Sequence, residues 1–256
     1  MKVVILAGGF GTRLSEETDV RPKPMVEIGG RPILWHIMKI YTHYGFSDFT
    51  IALGYKADFI KKYFLEYVNY SGNLTLQIKE GECKILQREQ EEWVIHLEDT
   101  GLSTGTGGRI KKLAHLINDE PFMVTYGDGV SDINIEKLLD YHKKRGKLVT
   151  ITAVRPPARY GGLYMENGLV TSFTEKPQTG EGWINGGFMV CEPQVLDMIK
   201  GIESSLESEL LETLASQGEL AAYCHDGFWQ CMDTLRDLKY LENLWTSGKA
   251  PWKIWE

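Results

Sequence analysis

Apolar residues recur along the chain in two rhythms, and the alternation of the two predicts the fold. Residues 3–7 are a continuous apolar run rich in β-branched side chains, closed by Gly8, Gly9 and Gly11. Such a run predicts a strand buried on both faces that feeds a glycine loop. Pro32 suits the first position of a helix. Ile33, Ile37, Ile40, Tyr41 and Tyr44 follow at helical spacing until Gly45 ends it. Residues 49–53 predict a second strand. Residues 57–68 predict a second helix through Phe59, Ile60, Tyr63, Phe64 and Tyr67. Strand, loop, helix, strand, helix is the rhythm of a doubly wound α/β sheet.

Three short strands at sheet edges are expected at 74–78, 83–86 and 93–97. A glycine-rich stretch over 101–108 precedes a helix at 109–117. A strand at 122–126, a helix at 135–144 and a strand at 148–154 come next. The last third predicts strands at 169–173, 187–190 and 220–224, and helices at 195–199 and 210–215. A final helix carries Leu235, Leu238, Leu241 and Trp245 as far as Gly248. No repeat or linker interrupts the pattern, so one domain over 1–256 is expected. Its class is α/β: a mixed, mostly parallel sheet flanked by helices, with small accessory strands. The tail, 248–256, carries Trp252 and Trp255, which need a surface to cover. The chain's own body and a second subunit are equally open as that surface.

Composition narrows the class. Of 256 residues 43% are apolar and 25% charged, an ordinary globular balance. No apolar run reaches the roughly 18 residues of a membrane helix. The opening run is too short for a signal-peptide core, so a cytoplasmic protein is expected. The formal net charge is -7 with no basic stripe, which argues against nucleic acid and anionic membranes as partners. An acidic chain can still hold phosphates through a local cluster of Arg, Lys and backbone N–H groups. Cys83, Cys191, Cys224 and Cys231 form no C-x-x-C pair and predict reduced thiols.

The strongest chemical signal is L-A-G-G-F-G-T-R-L over 6–14, directly after the first strand. Glycines let N–H groups turn toward phosphate oxygens. Ligands of open α/β sheets bind at this carboxyl edge. The dinucleotide fingerprint would need a third glycine where Leu14 stands, and the Walker pattern is absent. Arg13 adds a forked, permanently charged donor. In Arg21-Pro22-Lys23-Pro24 the prolines are expected to hold Lys23 in an extended segment. Asp128 lies between two glycines at the end of a hydrophobic strand. It reads as a turn aspartate or as a Mg²⁺ ligand, since Mg²⁺ takes one or two carboxylates plus substrate phosphates. Asp233, judged alone, reads as the cap of the last helix.

Taken together, the chain resembles the nucleotidyltransferases that make nucleotide sugars from a nucleoside triphosphate and a sugar 1-phosphate. The likeness runs through the glycine loop, Lys23-Pro24, Gly127-Asp128-Gly129, Glu175-Lys176-Pro177, Asn185-Gly186-Gly187 and Asp233, in order. S-E-E-T at 15–18, K-P-M-V-E-I-G-G at 23–30, P-I-L-W-H-I-M-K at 32–39 and the closing P-W-K-I-W-E make it more specific. The P-x-G-L-A-Q-A segment of relatives using dTTP is missing. The run Asp99-Thr100-Gly101 to Thr106-Gly107-Gly108-Arg109 is similar to the cytidylyltransferase branch. Gly105 departs from an expected methionine there, and Arg21 from an expected lysine.

The resemblance implies a Rossmann-like fold, with a nucleotide part over about 1–130 and a sugar-phosphate part over about 131–240. It implies cytidylyl transfer from CTP to glucose 1-phosphate with Mg²⁺, by in-line attack on the α-phosphorus. Leu6, Ala7, Gly8, Gly9, Phe10, Gly11 and Thr12 would hold the nucleotide. Arg13 would hold the leaving pyrophosphate, and Lys23 the α-phosphate and the sugar phosphate. Asp128 and Asp233 would share Mg²⁺, and Thr104 and Arg109 would face cytosine. Lys176 would take the sugar phosphate, with Tyr126, Glu175, Asn185 and Gly186 around the hexose; Tyr126 reads equally as core. A homo-oligomer, in hexameric form, is implied as well. The alternatives are thymidylyl or uridylyl transfer and a non-catalytic nucleotide-sugar sensor; the missing third glycine disfavours a nicotinamide oxidoreductase.

Overall fold

The computed structural model describes residues 1–11, 14–70, 73–86, 91–117, 119–156, 162–166, 169–174 and 182–255. Thr12, Arg13, Glu175 and Lys176 lie outside the described residues. Seven strands form the central sheet: β1 (Val3–Leu6), β2 (Asp48–Leu53), β3 (Val94–Asp99), β4 (Phe122–Tyr126), β5 (Val149–Val154), β6 (Ile184–Cys191) and β7 (Leu220–His225). Their order is β7-β5-β6-β4-β1-β2-β3. Only β6 is reversed, antiparallel to both β4 and β5, so the sheet is mixed and mostly parallel. The longer helices are α1 (Ile33–His43), α2 (Ala57–Tyr70), α3 (Thr106–Lys112), α4 (Ile135–Arg145) and α5 (Leu235–Thr246).

The continuous apolar run of β1 has a direct cause. Val3 and Ile5 enter one core with Ile33, Ile37 and Tyr41 of α1 and Ile60 and Phe64 of α2. Val4 and Leu6 enter the opposite core with Ile110, Leu113, Val195 and Leu206. Both faces of the strand are covered, so neither can be polar. At the ends of α4, the Asn134 side chain accepts from the Lys137 N–H at 2.8 Å, and Gly146 caps in the left-handed region at φ 59°.

Several expectations are corrected. Asn73–Gln77 and Glu82–Leu86 pair with one another and not with the edge of the main sheet. Leu76 is 58% exposed, so its face of the hairpin is not laid on the sheet. The strand Leu169–Thr174 closes a second local hairpin on Gly162–Glu166. The second-last helical region starts earlier than expected, in a wide turn at Leu206–Leu211 that runs into Glu212–Ser216. Helix α3 begins at Thr106, three residues ahead of the expected start. No helix among the described residues is long and apolar enough to cross a membrane.

The tryptophan tail covers the chain's own body. Trp252 is fully buried and stacks on Phe228 and Trp245. Its indole N–H donates to His36 Nδ1 at 3.3 Å, while His36 Nε2–H donates to the Ile28 carbonyl at 2.9 Å. That arrangement requires a neutral imidazole. Burial lowers the His36 pKa to about 4, against the contrary pull of the backbone hydrogen bond to Ile28. The folded pKa lies below the unfolded value of 6.5. The unfolded chain therefore takes up the proton first as pH falls. Stability from this site is complete above about pH 6.5 and declines toward about pH 4, by roughly 3 kcal/mol at most. Urea midpoints across that window should fall more steeply for the wild type than for His36→Gln; parallel curves would remove His36 from the acid limb.

Candidate active site

A cavity of about 520 Å³ opens beside the carboxyl ends of β1 and β4. Its walls are residues 6–11, Lys23-Pro24, residues 102–106, Arg109 and residues 126–128. The loop is tied to the sheet on both sides: Ala7 N–H donates to the Ala52 carbonyl, and Gly127 N–H donates to the Leu6 carbonyl, each at 3.0 Å. Gly11 turns in the left-handed region at φ 65°. A Cβ on Gly9 would meet nothing within 4 Å, so this glycine borders open space. Phe10 is about half exposed, its ring 5.5 Å from that of Tyr55.

Asp128 and Asp233, 105 residues apart in sequence, come together through a pairing that the sequence pattern did not signal. Gly129–Ser131 pairs antiparallel with Trp229–Cys231, Cys231 opposite Gly129. The Met232 N–H then donates to the Asp128 carbonyl at 2.8 Å. Three-residue strands carry too little periodicity to be read in advance. Asp233 is not the helix cap. Thr234 caps α5, its side chain accepting from the Asp237 N–H while Asp237 accepts from the Thr234 N–H.

Both carboxylates grip Lys23. Its ammonium donates to Asp128 Oδ2 at 2.6 Å and to Asp233 Oδ1. Burial opposes the lysine's charge, but the Asp128 carboxylate and the hydrogen bonds to Asp128 and Asp233 outweigh it and hold the pKa above its ordinary value. Lys23 is not in an extended segment. Pro22 is extended, at ψ 149°, but Lys23–Met25 form a 3-10 turn closed by Met25 N–H to the Pro22 carbonyl. The turn swings the lysine inward. Asp128, Cys231 and Asp233 bring one ligand atom each within 4.8 Å of one another. Two hard oxygens already gathered around a cation suit a divalent ion. Burial pushes the Cys231 thiol well above its ordinary value, reinforced by the neighbouring carboxylates, so it sits there as a neutral thiol.

Arg109 is placed differently from the expected base reader. It is 4% exposed and lies beneath the glycine loop. Nη1 donates to the Leu53 carbonyl at 2.9 Å, Thr100 Oγ1 at 2.6 Å and the Gly101 carbonyl at 2.8 Å. Nη2 donates to the Gly8 carbonyl at 3.1 Å and the Leu102 carbonyl at 3.3 Å. Both terminal nitrogens are spent on the protein. Gly8 is glycine for this reason: a Cβ there would lie 2.2 Å from Nη1.

The glycines at 105, 107 and 108 admit close-packed backbone of the protein itself. A Cβ on Gly105 would lie 2.5 Å from the Ser204 carbonyl oxygen, and one on Gly108 2.0 Å from that of Ile202. Gly105, where the resemblance led to a methionine, therefore lets this wall close tightly on Ser204. Thr104 Oγ1 donates to the Thr100 carbonyl at 2.6 Å. With its proton committed, the oxygen meets the cavity as an acceptor.

On the sugar side, Tyr126 is only partly buried, and its hydroxyl donates to Glu207 at 2.5 Å. Asn185 is a further hydrogen-bond partner of Tyr126. Gly186 packs under Val154 and gives its carbonyl to the Trp229 indole at 2.8 Å. Glu207 was not signalled by the sequence, since an acidic residue in an amphipathic segment reads as solvated. Ser131, His225 and Asp132 also converge, but Ser131 and Asp132 meet the same Nε2, and Ser131 gives its proton to the Phe228 carbonyl. An imidazole gripped through one nitrogen cannot relay between a nucleophile and an acid.

The chain is similar to known proteins. The family model described as "Nucleotidyl transferase" matches residues 2–244. The glucose-1-phosphate cytidylyltransferase of Salmonella typhi is 54% identical over 257 residues, covering 100% of both chains. The mannose-1-phosphate guanyltransferase beta-B of Xenopus laevis is 31% identical, over 93% of this chain and 62% of its own. A solved UDP-glucose pyrophosphorylase in its apo form superposes with a TM-score of 0.67 at 18% identity, covering 97% of this chain and 98% of its own, which bears on the fold alone. A family match across nearly the whole chain, with full-length identity above half, makes this chain a member of the nucleotidyl transferase family.

Proposed function

We propose that the protein transfers a cytidylyl group from CTP to glucose 1-phosphate, giving CDP-glucose and pyrophosphate. The observation that carries this reading is the full-length 54% identity to the Salmonella typhi cytidylyltransferase. The site's chemistry agrees with it. An oxygen of the sugar phosphate attacks the α-phosphorus, a P–O bond forms, and the α–β bridging oxygen leaves with pyrophosphate. Such a transfer asks the protein mainly for alignment and charge neutralisation. Asp128 and Asp233 would hold Mg²⁺, which when bound neutralises phosphate charge and polarises the α-phosphate. Lys23, held between the two carboxylates, keeps its assignment to the α-phosphate and the sugar phosphate. Arg13 keeps its assignment to the pyrophosphate, Lys176 to the sugar phosphate and Glu175 to the hexose, from their places in the family motifs.

Base choice follows from Thr104. Its oxygen is an acceptor toward the cavity and suits the N4 amino group of cytosine; uracil and thymine present a carbonyl there. A mismatched buried polar pair costs about 1–3 kcal/mol, or roughly 5- to 150-fold. The decisive experiment mixes the protein with Mg²⁺, glucose 1-phosphate and each of CTP, UTP and dTTP, and follows pyrophosphate. CTP should lead in kcat/KM. A lead for UTP or dTTP overturns the cytidylyl reading, and no turnover with any of them favours the sensor. Assembly into a homo-oligomer belongs to the same reading and is checked by light scattering.

A further inference from the structure

Two hydroxyls from opposite walls of the cavity meet on one carboxylate. Tyr126 ends β4, two residues before Asp128; Thr106 opens α3 on the other side. Both line the cavity, and Glu207 is not among its walls. Glu207 Oε1 accepts the Tyr126 O–H at 2.5 Å. Oε2 accepts from Thr106 Oγ1 at 2.7 Å and from Ser205 Oγ at 3.0 Å. Thr106 Oγ1 in turn accepts from the Leu206 N–H at 2.8 Å. Burial disfavours the Glu207 charge, but the hydrogen bonds it receives hold its carboxyl below the ordinary 4.5. It is therefore an acceptor only, and the Tyr126 proton must point at it. The ring of Tyr126 is fixed as well. Gly187 sits at φ 84°, and a Cβ there would lie 2.5 Å from Tyr126 Cδ2.

We propose that Glu207 is a positioning residue: by taking the Tyr126 proton it makes the Tyr126 oxygen an acceptor toward the substrate. Such an oxygen recognises a sugar hydroxyl and offers no donor to a phosphate. The proposal rests on the reading of the cavity as a nucleotide and sugar-phosphate site. It makes Glu207 a determinant of the hexose side, reached through Tyr126, although it lies about 80 residues from that tyrosine in sequence.

The test is a double-mutant cycle on the full chain. Glu207→Ala should raise KM for glucose 1-phosphate about tenfold and move KM for CTP less than about threefold. Glu207→Gln, whose amide oxygen still accepts from Tyr126, should recover most of the loss. In a Tyr126→Phe background Glu207→Ala should add almost nothing, because the interaction is already gone. If Glu207→Ala does not fold, Glu207→Asp, with the carboxylate drawn back by one methylene, enters the same cycle. Equal rises in both KM values, or losses that multiply in the double mutant, overturn the role of Glu207 and leave the cytidylyl reading standing. A wild type that turns over no triphosphate with glucose 1-phosphate overturns that reading, and this inference with it.

Discussion

Asp233→Asn should lower kcat by at least about 10²-fold while the protein keeps its fold. The substitution removes one negative charge and little volume. Helix α5 keeps its cap, because Thr234 and Asp237 form the capping box without the Asp233 side chain. What is lost is half of the carboxylate pair that grips the Lys23 ammonium and would grip Mg²⁺. Asp128→Asn should behave alike, since the two residues share one cation. The measurement is kcat at saturating and at limiting Mg²⁺, with circular dichroism as the control for folding. Near-normal turnover of Asp233→Asn at limiting Mg²⁺ would reduce the metal site to Asp128 alone.

Arg109→Ala should cost about 3 kcal/mol of stability and lower kcat/KM for CTP, UTP and dTTP alike. The guanidinium is buried and bridges the glycine loop, the end of β2 and residues 100–102. Some of its acceptors have other partners: the Leu53 carbonyl also accepts from the Thr100 N–H and hydroxyl, and the Gly8 carbonyl from the Tyr55 N–H. Among the described residues no second donor accompanies the arginine at the Gly101 and Leu102 carbonyls, so those two would be left short. A hole would also open against Gly8 and Gly54, where a Cβ would now touch the guanidinium. Urea denaturation and the three kcat/KM values decide the matter. Unchanged stability with a loss confined to CTP would make Arg109 a reader of the base after all.

Much of the fold is local information. Buried strands announce themselves as continuous apolar runs because both faces are covered, and amphipathic helices because side-chain burial repeats about every 3.6 residues. So β1, β2, β4 and β5, and α1, α2, α4 and α5, were all legible, along with the doubly wound class. The glycine loop and Gly127-Asp128-Gly129 were legible too, because the carboxyl edge of a parallel sheet is where ligands gather. Short elements escaped for the opposite reason. The pairing of Gly129–Ser131 with Trp229–Cys231 spans three residues a side and leaves no period to detect.

That pairing illustrates the wider division. The order of residues determined the strand–helix rhythm, the sheet edge that carries the site, and a list of charged and glycine residues of the kinds that phosphate chemistry needs. Only the tertiary structure decided how those residues are used. It turned Lys23 inward on a 3-10 turn, set Asp233 beside Asp128, and relieved Asp233 of the cap that Thr234 supplies. It aimed the Arg109 donors at backbone carbonyls and made Glu207, which no motif marks, the anchor of Tyr126. The physical reason is that a hydrogen-bonding side chain has no fixed partner until packing brings one within about 3 Å. Burial then makes an unmet donor or acceptor costly, and the partner that packing supplies settles the side chain's role.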